Sequence, residues 1–281
     1  MSDKEFMEQE RIVLIKYGGN AMLNDELKSA VVANIKKLHE AGTKVVLVHG
    51  GGPFIKSILK TVGIESEFIG GHRKTTPEAL KYIEMALKGE VNSSLVNLLN
   101  RTGLRAVGLS GKDGRMVTAV KRYHEVTENG QTERFDLGQV GDVTKVDTRL
   151  LETLLSQNFV PVVTCIASDE AGQDYNVNAD MFAGALAGAL KAQDYLVLTD
   201  VDGLLRDIDD PSSLIRRLTL EELPGLYGSV IKGGMIPKLE SCQIALEHGA
   251  RHARIINGTK PDNIAEVVQS DNHSIGTEIC L

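Results

Sequence analysis

Two lysines, one aspartate and several paired glycines are the residues of this chain best suited to hold an anion. Lys16-Tyr17-Gly18-Gly19-Asn20 follows a first short apolar run, and His49-Gly50-Gly51-Gly52 follows a second. Consecutive glycines let backbone N–H groups turn inward as a concave anion nest, and the N-terminus of the next helix adds positive potential. One Gly-Gly pair is usually no more than a tight turn; several at the ends of successive strands favour the nest. Lys16 closes the first run and faces the Gly18-Gly19 turn. Lys238, in Gly233-Gly234-Met235-Ile236-Pro237-Lys238, stands just inside a helix that follows a glycine pair. The helix macrodipole disfavours a cation there, so a compensating anion is expected. Asn176-Val177-Asn178-Ala179-Asp180 leads into a helix of small residues. Asparagines offer donors and acceptors in fixed positions, and Asp180 reads equally well as a helix cap or as a site carboxylate.

Known phosphate motifs do not account for these loops. Ala106-Val107-Gly108-Leu109-Ser110-Gly111-Lys112-Asp113 approaches a Walker A sequence and fails at both ends, and no G-x-G-x-x-G follows the first run. A dinucleotide fold, and with it a nicotinamide oxidoreductase, is disfavoured. The sequence calls for no catalytic histidine; His49 reads as a strand-end residue whose ring supports the loop. Cys165, Cys242 and Cys280 are widely spaced with no Cys/His cluster, so reduced thiols and no metal held by protein side chains are expected. A net charge of -7 opposes a nucleic-acid partner. No apolar run approaches the roughly 20 residues of a membrane span. Met1 to Arg11 carries Asp3, Glu5, Glu8 and Glu10 and lacks a signal peptide's apolar core. A cytoplasmic protein is expected.

The elements that must position these residues follow from the apolar pattern. Ile12–Ile15, Val45–Val48, Ala106–Leu109, Val160–Thr164, Tyr195–Thr199 and Ala253–Ile256 are short runs without polar alternation, as buried parallel strands require. Between them lie helical stretches: Leu27–Glu40, Pro77–Asn100 with Thr76 as N-cap, Asp180–Leu190, Ile236–Glu247 and Pro261–Gln269. Gly184 and Gly188 within the third cost about 1 kcal/mol each relative to Ala, so that helix is expected to pack very closely on a neighbour. Strand, glycine turn and helix in repetition mean an α/β protein with a mostly parallel sheet. One segment departs from this: Glu128-Asn129-Gly130 between two strand-like runs predicts an antiparallel excursion over residues 115–145. A length of 281 residues and no linker composition favour a single two-lobed domain over 1–281.

Taken together, Ile15 to Met22, Val48 to Pro53, Gly108 to Gly114, Tyr175 to Asp180, Leu198 to Gly203 and Gly233 to Lys238 resemble, in order, the motifs of the acetylglutamate kinases within the amino acid kinase family. The resemblance spans nearly the whole chain. It implies a three-layer αβα sandwich with a mostly parallel sheet of about eight strands. It also implies an N-terminal lobe, about 1–174, that binds N-acetyl-L-glutamate and forms a homodimer, and a C-terminal lobe, about 175–281, that binds ATP. The implied reaction is phosphorylation of the side-chain carboxylate by ATP with Mg²⁺, the second step of arginine biosynthesis. By position, Lys16 and Lys238 would be the transition-state lysines and Asp180 the carboxylate that holds them. Gly18, Gly19, Gly50 and Gly51 would bind the transferring phosphoryl group, the last two also the substrate, and Arg73 and Asn176 its α-carboxylate end. Asp200 to Leu205 and Val230 to Met235 would line the nucleotide pocket, foremost Asp200, Val201, Gly203, Leu204, Gly233, Gly234 and Met235. A glutamyl carboxylate has a pKa near 4.3 and is already a nucleophile at neutral pH. Positioning and electrostatics therefore carry the catalysis, with no general base.

The segment Gly71-His72-Arg73-Lys74-Thr75-Thr76 departs from the family's Gly-Leu-Arg-Val-Thr-Asp. Arg73 is kept; His72, Lys74 and Thr76 border the expected acyl-amino-acid pocket. The rival readings are a sister kinase acting on N-acetyl-aminoadipate or another N-acylglutamate, and a non-catalytic metabolite-sensing module. The short stretch before the first strand, and the absence of a His from Ile255–Thr259, set the expectation against arginine inhibition.

Overall fold

A computed structural model describes residues 11–128, 131–270 and 274–281. The acidic start of the chain and the Asn129-Gly130 turn lie outside the described residues. The central sheet has eight strands, in the order β14 (Arg217–Thr219), β16 (Thr277–Cys280), β15 (His252–Asn257), β11 (Asp194–Thr199), β1 (Ile12–Tyr17), β2 (Lys44–His49), β8 (Val160–Thr164) and β5 (Ala106–Ser110). Every pairing is parallel except β15 with β16. Each expected strand is present within a residue or two of its sequence bounds.

The apolar runs show no alternation because both faces of the sheet are covered. Val13, Ile15 and Tyr17 of β1 pack with α1 (Asp25–Glu40), α4 (Ser93–Arg101) and α8 (Asp262–Ser270) on one side. Leu14 packs on the other side with α2 (Gly52–Thr61), α3 (Pro77–Glu84), α5 (Arg149–Ser156), α6 (Ala179–Ala189) and α7 (Ile236–Glu247). The result is helices, sheet, helices in three layers. Full burial of a side chain such as Phe182 or Leu38 contributes about 1.5–3 kcal/mol.

Thr76 caps α3, its Oγ1 accepting from the Ala79 N–H at 3.1 Å. The helical stretch that starts there runs on to Arg101, but Met85–Asn92 in its middle is wound as a π-helix. The periodicity gave no sign of that. Gly184 and Gly188 let α6 lie against α7: a Cβ on Gly184 would stand 2.4 Å from the Ser241 carbonyl oxygen.

The antiparallel excursion is β6 (Val117–Glu128) paired with β7 (Gln131–Val146). With β9 (Ile166–Ser168) and β10 (Asp174–Val177) these strands close a small barrel. The sequence predicts the hairpin and not the closure, which depends on pairing Val140 with Asn176 and Thr118 with Ser168, partners far apart in the chain. A division at 174 to 175 would fall inside β10. Two short hairpins complete the chain: β3 (Phe68–Ile69) with β4 (His72–Arg73), and β12 (Leu204–Leu205) with β13 (Leu214–Ile215).

Candidate functional site

In an open α/β sheet, ligands bind beyond the carboxyl ends of the strands. Lys16 is the penultimate residue of β1, and His49 is the last residue of β2, the adjacent strand. The loops that leave these two strands, with the start of α6 and the β3–β4 hairpin, enclose a cavity of about 340 Å³. Lys16, Gly18, Gly19, Gly50, Gly51, Arg73, Asn176 and Asp180 all line it. The structure thus brings together residues spread over more than half of the sequence.

At one end of this cavity Lys16 and Asp180, which line it, form a triad of charges with Lys238, which is half-buried and does not line it. Lys16 Nζ lies 2.8 Å from Asp180 Oδ1, and Lys238 Nζ lies 3.4 Å from Asp180 Oδ2. Lys16 and Asp180 are 6% and 7% exposed. Burial alone would raise the Asp180 carboxyl, but the charges and hydrogen bonds of both lysines outweigh it and hold the group below its ordinary range. Burial and the neighbouring Lys16 charge push Lys238 below the ordinary lysine range, against the pull of Asp180 and Asp200. Within the triad two cations face one anion, a net positive charge beside the cavity, with Asp200 as a further anion acting on Lys238.

The helix starts explain how the triad is held. Asn178 is the cap of α6: its Oδ1 accepts from the Asp180 and Met181 N–H groups at 2.9 and 3.3 Å. Asp180 is therefore free of capping duty, and its carboxylate pairs with the two lysines instead. Lys238 lies in the first turn of α7, where the macrodipole disfavours it, and Asp180 is the compensating anion. Behind them, the buried Tyr195 hydroxyl lies 3.3 Å from the Asp180 carbonyl oxygen and 3.0 Å from Ser241 Oγ. Ser241 Oγ in turn donates to the Lys238 carbonyl at 2.7 Å. One phenol thus ties together the helix turns that carry Asp180 and Lys238.

Gly19, at φ +73°, adopts the left-handed conformation that favours glycine. A Cβ there would meet Asp200 Oδ1 at 2.9 Å, so the absence of a side chain lets the loop lie against Asp200. Gly51 is packed as tightly, with Leu87 where its Cβ would be. Across the cavity, the Arg73 guanidinium stacks on the Phe68 ring at 4.6 Å and donates to Ser66 Oγ. Asn176 Nδ2 donates to Thr75 Oγ1 at 3.3 Å, and Thr75 Oγ1 donates to the Arg73 carbonyl at 2.9 Å. Arg73 and Asn176 are thereby braced through one fully buried threonine. His72 lines the same cavity; burial, with the Arg122 charge adding to it and Asp142 opposing, lowers its pKa.

A second cavity of about 490 Å³ lies past Asp200, lined by Val201, Gly203, Leu204, Val230 and Met235 among others. Asp200, Gly233 and Gly234 do not line it. Asp200 instead sits at the Gly19 loop between the two cavities, and Gly233 and Gly234 begin the turn that delivers Met235 and α7. Sequence reasoning missed one cation of this cavity, Arg206. Lys232, the other cation of the lining, falls within the Val230 to Met235 stretch that the resemblance assigns to the nucleotide. Asn178, Phe68 and Cys165 also line the first cavity without having been singled out as site residues.

The family model described as the amino acid kinase family matches residues 11–257. The chain is 43% identical over 271 residues to an acetylglutamate kinase of Pelotomaculum thermopropionicum, covering 96% of this chain and 92% of that protein. It is 44% identical to an acetylglutamate kinase of Methanocaldococcus jannaschii, covering 96% and 90%. The solved structure of smu.665 from Streptococcus mutans UA159 superposes with a TM-score of 0.74 at 27% identity, over 96% of this chain and 98% of that one.

Proposed function

The chain belongs to the amino acid kinase family, and from that premise we propose that it transfers the γ-phosphoryl group of ATP to the side-chain carboxylate of N-acetyl-L-glutamate. It is a kinase, similar over nearly its whole length to acetylglutamate kinases. The observation that carries the reading is the Lys16–Asp180–Lys238 triad at the end of a glycine-lined cavity. Bringing a carboxylate against a triphosphate sets anion against anion. The surplus positive charge of the triad offsets that repulsion and stabilises charge that spreads over the transferring phosphoryl oxygens.

In this reading Arg73 and Asn176 hold the α-carboxylate end of the acyl-amino acid, the planar guanidinium matching a carboxylate. Gly18, Gly19 and Gly51 present backbone to the phosphoryl group; Gly50, expected to do the same, lines the cavity with its N–H already given to the Tyr17 carbonyl. Lys16 and Lys238 bracket it, and Asp180 keeps the two ammonium groups from separating. The nucleotide takes the second cavity, along Val201, Gly203, Leu204 and Met235, with Asp200 at the crossing between the two. In this reading a Mg²⁺ arrives on the ATP phosphates. When bound, such an ion neutralises phosphate charge. We extend the proposal to a cytoplasmic homodimer joined through the lobe at about 1–174, on the strength of the resemblance.

The test is a hydroxylamine trap for acyl phosphate, run with ATP, Mg²⁺ and a panel of N-acylated acidic amino acids. Hydroxamate from N-acetyl-L-glutamate is the expected product. Preference for N-acetyl-aminoadipate would favour the sister kinase, a discrimination worth only about 1–3 kcal/mol per methylene. No hydroxamate from any member would leave the non-catalytic module. That module has no need of Lys16, Lys238 and Asp180, all of which are present.

Two substitutions probe the surroundings. His72→Leu retains turnover of N-acetyl-L-glutamate; a changed order of preference across the panel would instead make His72 a specificity residue. Tyr195→Phe removes the hydroxyl shared by the Asp180 and Lys238 turns. It lowers stability by about 1 kcal/mol, the net worth of one hydrogen bond, and reduces kcat several-fold while KM holds. Thermal unfolding and steady-state kinetics read both, and an unchanged kcat would restrict the hydroxyl to packing.

A further inference from the structure

Resting on the kinase reading above, we propose that His49 and Asn92 are a positioning pair that aims the Gly51 N–H at the transferring phosphoryl group. His49 and Asn92 are 0% and 2% exposed. His49 Nδ1 lies 2.8 Å from the Gly50 carbonyl oxygen, a contact that requires the proton on Nδ1. His49 Nε2 lies 2.9 Å from Asn92 Nδ2, and that nitrogen also donates to the Val162 carbonyl at 2.9 Å. Turning the amide over would set its oxygen against the Val162 carbonyl. Asn92 therefore presents a donor to Nε2 and admits one form of the ring, neutral and protonated at Nδ1. Burial, with the Lys88 charge adding to it and the Gly50 carbonyl opposing, lowers the ring's pKa to about 4.

The consequence reaches the site through the peptide plane. In a trans peptide the C=O and N–H point in opposite directions, and among the described residues no peptide bond is cis. With the Gly50 carbonyl drawn to the buried ring, the N–H of Gly51 points away from it, toward the side where Gly50 and Gly51 line the cavity. The two glycines are then not equivalent. The Gly50 N–H donates to the Tyr17 carbonyl at 3.2 Å, whereas the Gly51 N–H meets no acceptor among the described residues. The π-helix ends on Asn92 and also supplies Leu87 and Val91 against Gly51. Such windings concentrate at functional sites. Gly108 leaves the room this needs, since a Cβ there would come 2.1 Å from Asn92 Oδ1.

Two independent readouts test the pair on the full chain. Nitrogen-15 NMR of the His49 ring should show protonated Nδ1 and bare Nε2, unchanged from about pH 6 to about pH 8. A ring protonated at Nε2, or one that titrates in that range, overturns the proposal whether or not the protein proves to be a kinase. Kinetically, His49→Leu should lower kcat by about 10–100-fold, below the loss of a whole oxyanion donor, with KM for both substrates nearly unchanged. His49→Asn, whose amide nitrogen takes the place of Nδ1, should restore most of that loss. A rise in KM at constant kcat, or equal rates for the two variants, would assign the pair a purely structural role and overturn it.

Discussion

Lys238→Ala lowers kcat by about 10²–10³, the scale for one lost electrostatic stabiliser of a transition state. The ammonium lies 3.4 Å from Asp180, which keeps its shorter contact of 2.8 Å to Lys16 in the variant. The anion stays paired, so the variant folds and the loss falls on the reaction. KM for the acyl-amino acid should hold, because its proposed contacts are with Arg73 and Asn176. The parent carries a second mark of Lys238. Its pKa is depressed by burial and by Lys16, so the proton is lost as pH rises through a value below the ordinary 10.4 of lysine. The alkaline limb of kcat/KM, which reports the free enzyme, should fall there and be absent from the variant. Steady-state kinetics across pH measure both effects. Turnover near the parental rate would remove Lys238 from the chemistry and with it the reading that rests on the triad.

The same triad marks how far the sequence could be read. Lys16 and Lys238 were legible as candidates, because a cation in the first turn of a helix and glycine pairs after strands are local anomalies with local causes; Asp180 stayed open between cap and site carboxylate. The strands were legible too, since a run such as Lys44–His49 is buried at every position and shows it in composition. The partners that hold the triad were not legible. Tyr195 and Ser241 read as ordinary strand and helix residues, and only the packing of α6 on α7 makes them a bridge. Asn92 was hidden for a related reason: the π-winding of Met85–Asn92 shifts the helical register and turns this residue inward beneath β2 and β8. Asp200 was placed by motif in the nucleotide pocket, while the fold sets it against the Gly19 loop. Glycine absence of bulk is visible in a sequence; what fills the vacated space is a property of the fold.

Asp180→Asn should cost both stability and rate, and the two losses respond oppositely to conditions. Removing the anion leaves two ammonium groups facing one another, the situation in which breaking a buried pair costs about 3–5 kcal/mol. Asp180 has a folded pKa below its unfolded value. Its stabilising contribution is therefore complete above about pH 4, the ordinary aspartate range, and is lost as pH falls through the lower folded value. The parent should exceed the variant in denaturant resistance at neutral pH, and the gap should close in acid. Rate behaves differently. The asparagine can still accept a hydrogen bond from one lysine but no longer balances either charge, so kcat drops by about 10² as the ammonium groups lose their fixed geometry. The uncompensated cations nevertheless attract phosphate more strongly, so KM for ATP should hold or fall while kcat declines. With the carboxylate gone, Lys238 loses a group that raises its pKa, and the alkaline limb should move to lower pH. ATP should then recover more thermal stability in the variant than in the parent, because bound phosphate replaces the missing anion. A variant as stable as the parent at neutral pH, with its alkaline limb unmoved, would show that Asp180 does not hold the lysines together.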